Sequence, residues 1–144
     1  MIAIDTNVLL RYLLQDEKAQ SAKVNKLFSL ETEILITDVV LVETIWTLKG
    51  KRYKASKENL LQVIDQLFKE PNIIFEDGQT IWRAYNAFRN AEIITKNHKK
   101  QAVDFPNLLI LEKVKQVASK KDIEFDGLFS FDSALQAFTD VFKP

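Results

Sequence analysis

The chain of 144 residues has no cysteine, a single histidine, three glycines and three prolines. Without cysteine there is no disulfide, no thiolate metal site and no thiol nucleophile. That composition suits a reducing compartment and points to the cytoplasm. So few glycines and prolines argue against long flexible linkers. Neither sign of charge prevails, because 20 Lys and Arg balance 20 Asp and Glu. A uniformly basic surface is therefore excluded, whereas a local basic patch is not. No apolar run reaches the roughly 18 residues of a membrane-spanning helix. The N-terminus also lacks the basic, apolar, then small-residue order of a signal peptide. The expectation is a soluble protein with no membrane partner.

What is present suffices for one domain spanning residues 1–144, with apolar residues at 47% and charged residues at 28%. Four short runs read as strands: Ile2–Ile4, Ile34–Thr37, Ile73–Phe75 and Leu128–Phe131. Apolar stripes at helical spacing lie between them. One comprises Leu60, Leu61, Ile64, Leu67 and Phe68; another comprises Ile81, Trp82, Tyr85 and Phe88. A third comprises Leu108, Leu111, Val114 and Val117 or Ala118. Ser56 and Asp77 read as helix caps for the first two. Strands alternating with helices require crossovers, hence parallel pairing. The fold class is α/β: a three-layer α/β/α sandwich around a small central parallel sheet. Ligands of such sheets bind beyond the carboxyl ends of the strands.

Acids stand at those ends. Asp5 follows the first strand in IAIDTNVLL, Asp38 follows the second, and Asp132 follows the fourth in LFSFDSAL. Each is also placed to cap a helix, and for Asp38 capping is the favoured reading. Glu43 lies within VVLVETIWTL, where the apolar neighbours predict partial burial and hence a cationic partner, an arginine or a metal, with solvent exposure on a narrow polar face beside Thr47 or Lys49 as the plainer alternative. Two strand-to-acid junctions plus this glutamate suggest an all-oxygen site. Clustered carboxylates repel by about 4 kcal/mol per pair at 4 Å and an effective dielectric near 20, so they need a positive partner. With no cysteine and one histidine, the hard cations Mg2+ or Mn2+ fit best.

The segments IAIDTNVLLRYL, TDVVLVETIWTL, DFPNLLI and LFSFDSAL, in this order and spacing, resemble those of PIN-domain ribonucleases of the VapC toxin type. The resemblance spans nearly the whole chain. It implies a PIN-like α/β/α sandwich and an endoribonuclease that hydrolyses RNA phosphodiesters with Mg2+ or Mn2+. It also implies a small antitoxin protein as partner, and a homodimer. By the same resemblance Asp5, Glu43 and Asp132 are catalytic, metal-binding acids, and Thr6, Asn7 and Ser130 are supporting polar residues. One position departs from the pattern: Asn107 stands where the family carries an inner aspartate, in DFxD. An amide oxygen can still ligate a cation, but it brings no charge and cannot act as a base. Asp104, one helical turn upstream, is a fourth candidate for catalysis and metal binding, although a helix cap with Pro106 explains it equally well. The alternative reading is a catalytically weakened PIN-like module that binds RNA or an antitoxin-like protein without efficient turnover. Two basic clusters, Lys49, Lys51, Arg52 and Lys54, and Lys96, His98, Lys99 and Lys100, suit either solvent or RNA phosphates. Trp46, Trp82, Tyr85 and Phe88 read as core or interface residues rather than base-stacking platforms, and Arg11 as a partner contact.

Overall fold

A computed structural model describes residues 1–144. The chain divides into two compact units, Met1–Gly78 and Gln79–Pro144.

The first unit is built on a three-stranded parallel sheet in the order β1 (Ile2–Ala3), β2 (Ile34–Ile36), β3 (Ile73–Phe75). Ile2 pairs with Ile34, and Ile34 with Ile73, so all three strands start level. Ile34 and Ile36 in the central strand are fully buried, as a strand covered on both sides requires. Helices fill the crossovers. They are α1 (Thr6–Leu14), α2 (Lys18–Phe28), α3 (Asp38–Lys49) and α4 (Lys57–Lys69). A capping box starts α4: Ser56 Oγ accepts from the Asn59 backbone N–H at 3.1 Å, and Asn59 Oδ1 accepts from the Ser56 N–H at 3.2 Å. Its stripe buries Leu60, Ile64 and Leu67. Tyr12 on α1 stacks on Phe28 of α2, with ring centroids 3.7 Å apart, and its hydroxyl donates to Glu70 Oε1 at 2.6 Å. Burial, and then this bond, push the Tyr12 phenol up to about 12.

α3 corrects three sequence expectations. Its cap is Thr37, whose Oγ1 accepts from the Val40 N–H at 3.3 Å, and Asp38 is already the first helical residue. The inward positions are Leu41, Thr44, Ile45 and Leu48, so Glu43 is exposed rather than partly buried. Trp46 is likewise outside the core, 56% exposed. Apolar Val39 and Trp46 on the outer face made the helix read as buried all round. Thr44 is fully buried, and its hydroxyl has no hydrogen-bond partner.

In the second unit α5 (Gly78–Asn90) and α6 (Phe105–Lys120) supply the core. Phe88 meets Phe105 edge-on, at a ring-centroid separation of 6.0 Å. The expected α6 stripe fades toward its end, where Val117 is exposed. Trp82 is 40% exposed and lies against Tyr85. Lysines 96, 99 and 100 belong to an antiparallel hairpin, β4 (Ile94–Lys96) and β5 (Lys99–Gln101). Asn97 and His98 turn it with φ of 52° and 60°, both left-handed. The fourth strand-like run shortens to β6 (Leu128–Phe129) and pairs in parallel with β7 (Val141–Phe142), not with the three-stranded sheet. The helix expected after Asp132 is only a 3-10 turn, Leu135–Ala137. Gly127, at φ 133°, leads into β6 where a Cβ would strike the Phe142 ring.

Candidate active site

In the first unit the start of α1 and the middle of α3 are joined by a hydrogen bond: Thr6 Oγ1 donates to Glu43 Oε2 at 2.5 Å. The neighbouring Asp5 caps α1, its Oδ1 accepting from the Val8 N–H at 2.9 Å. The helix N-terminus thereby fixes the orientation of Asp5. One oxygen of each carboxylate is engaged and the other is not, and no lysine or arginine pairs with either acid. Asn7 points elsewhere, lining a shallow hollow with Arg11 and Gln20. Arg11 is held by Asp16 at 2.6 Å and by Gln20 at 2.8 Å, and the bond to Asp16 raises its pKa further.

Sequence reasoning passed over a third acid at this sheet edge. Glu76 follows β3, and its Oε2 accepts from the Asp38 N–H at 2.5 Å, so it serves the N-terminus of α3 from outside the helix. The available signal was its position directly after a strand.

The second unit gathers Asn107, Ser130 and Asp132. Asn107 Nδ2 donates to Asp132 Oδ2 at 2.8 Å. Asp132 Oδ1 accepts from the N–H groups of Ala134 and Leu135 at 2.8 and 3.2 Å. Its own N–H donates to Ser130 Oγ at 3.0 Å. Asp104 occupies the cap position of α6, with Pro106 in the first turn, but its side chain makes no capping bond.

A PIN domain model matches residues 2–137, spanning both units. The chain belongs to the PIN domain family. No curated protein matches it. PIN domains are typically nucleases, generally use divalent metal, and point to RNA binding. No helix of this PIN chain is long and apolar enough to cross a membrane.

Nowhere do three or more Asp, Glu or His side chains stand together as a metal-holding group. The donor chemistry nevertheless differs between the two clusters. Asp5 and Glu43 present anionic oxygen, exposed and without a cation, which fits a hard divalent ion. Asp132 has both oxygens engaged by neutral donors, so its charge is already solvated by the protein.

Proposed function

We propose that the protein is an endoribonuclease dependent on Mg2+ or Mn2+, acting as the toxin of a toxin–antitoxin pair. The observation that carries this reading is the Asp5–Thr6–Glu43 constellation of a PIN chain: two anionic side chains beyond a parallel strand, with no basic residue neutralising them. Asp5 and Glu43 would hold the ion in the first unit; in the second unit Asp104, Asn107 and Asp132 are the residues assigned to catalysis or metal binding by the family resemblance. When bound, the ion lowers the pKa of water and neutralises charge developing on the phosphodiester. The Thr6 hydroxyl fixes Glu43 in one rotamer, and the Val8 N–H does the same for Asp5. Ser130 and the backbone of the 3-10 turn hold Asp132 in place. The chain acts in the cytoplasm as a single PIN domain and a homodimer, and a small antitoxin protein blocks the acidic residues. The PIN domain match over residues 2–137 supports the nuclease part of this reading.

The test is cleavage of end-labelled RNA with Mg2+, Mn2+ or EDTA. Wild type cuts only with metal, and Asp5→Ala abolishes cutting; cutting that persists in Asp5→Ala or in EDTA refutes the reading. The bond from Asn107 to Asp132 favours one second reading, a weakened module that binds without turnover. An inactive wild type with recovery in Asn107→Asp identifies it.

A further inference from the structure

The buried positions of α3 leave an outer face bearing Val39, Glu43 and Trp46, spaced by four and three residues and therefore adjacent. The Trp46 indole lies more than half in solvent, contacts no other ring, and its N–H makes no hydrogen bond. Burial therefore does not account for it. Beyond the helix end at Lys49 the chain reads Gly50-Lys51-Arg52-Tyr53-Lys54. Lys51, Arg52 and Lys54 are exposed, and no carboxylate pairs with them. The Arg52 guanidinium lies 5.2 Å from the centre of the Tyr53 ring. Along the chain, an acid and a flat aromatic plate on α3 are thus followed by a set of cations past the helix end, with about 9 Å of helix from Glu43 to Lys49.

We infer that this face is the entry track for single-stranded RNA. One unpaired base stacks on Trp46, Lys51 and Arg52 take flanking phosphates, and the adjoining phosphodiester is set beside Glu43. The inference rests on the nuclease reading and adds to it a positioning residue, Trp46. Charge selects the occupant: the cations complement a polyanion, whereas a second copy of this face would bring like charges together. Stacking tolerates any base, so Trp46 discriminates unpaired from paired strands rather than one sequence from another.

In Trp82→Phe protein Trp46 is the sole indole, since the chain has two tryptophans. The probe is a single-stranded oligoribonucleotide of mixed sequence, made uncleavable by methylated ribose hydroxyls and titrated in EDTA. Trp46 emission is quenched, Trp46→Ala weakens binding by about 5- to 100-fold, and Trp46→Phe restores most of it. Lys51→Ala and Arg52→Ala each flatten the salt dependence of affinity. Quenching without any cleavage of ordinary RNA refutes the nuclease and leaves the track standing. Unquenched emission beside normal metal-dependent cleavage overturns the track alone. So does equal quenching by a duplex of the same sequence. A Trp46→Ala protein that turns from dimer to monomer at unchanged affinity for the probe assigns the face to a second copy, which also overturns it.

Discussion

Asn107→Asp converts the donor beside Asp132 into a second acceptor. The amide nitrogen now lies 2.8 Å from Asp132 Oδ2, and both side chains are partly buried. Two carboxylates about 4 Å apart repel by about 4 kcal/mol at an effective dielectric near 20. The lost hydrogen bond to a charged group adds about 1.5–3 kcal/mol. Solvent screening of a partly exposed pair reduces the sum, leaving about 3 kcal/mol of destabilisation at neutral pH without metal. Like-charge repulsion raises the pKa of the pair above the roughly 3.9 of an unfolded aspartate. The penalty is therefore complete above that raised value and disappears as pH falls through it toward 4. A divalent ion opposes the same repulsion, so Mn2+ stabilises the variant more than wild type. Urea unfolding at pH 7 and pH 4.5, in EDTA and in Mn2+, reads all three effects. A variant within about 0.5 kcal/mol of wild type at pH 7 in EDTA would show that the contact is not what holds Asp132.

Gly127→Ala meets both a left-handed backbone and the Phe142 ring, so β6 and β7 part and stability falls by about 1–3 kcal/mol in urea unfolding. An unchanged midpoint would contradict that geometry. Tyr12 ionises late, near 12, in an ultraviolet titration. Its contribution to stability is whole below the unfolded phenol value near 10 and is lost as pH climbs to 12. Glu70→Gln brings the late transition earlier, and the absence of a transition near 12 in wild type would refute the assignment.

The parts legible in the sequence were those with strong periodicity. Ile34–Ile36 and Ile73–Phe75 announce strands by β-branched density, and the Leu60–Ile64–Leu67 stripe announces a helix. The polar helix Lys18–Phe28 gave no comparable signal, since only Ser21 and Val24 are buried in it. The hairpin at Ile94–Gln101 is built largely of exposed lysine, threonine and glutamine, and its one signature was asparagine opening a two-residue turn. The pairing of Leu128 with Val141 was unreadable because register in so short a ladder depends on long-range contacts. At the candidate site, the acids were found by their positions after strands. Their partners were not: neither the reach of Thr6 to Glu43 across 37 residues nor the donation from Asn107 to Asp132 is implied by local spacing. Glu43 was misplaced because an exposed tryptophan and valine look, in a sequence, like core.

The orphan hydroxyl of Thr44 has a practical side. Valine has nearly the same shape and nothing to leave unsatisfied, so Thr44→Val strengthens the fold by about 1–2 kcal/mol. That reserve lies on the helix carrying Glu43, its side chain facing inward while the acid faces out. A stabilised background of this kind offsets the damage done by charge-altering substitutions, and gives structural work a sturdier host for inactive variants.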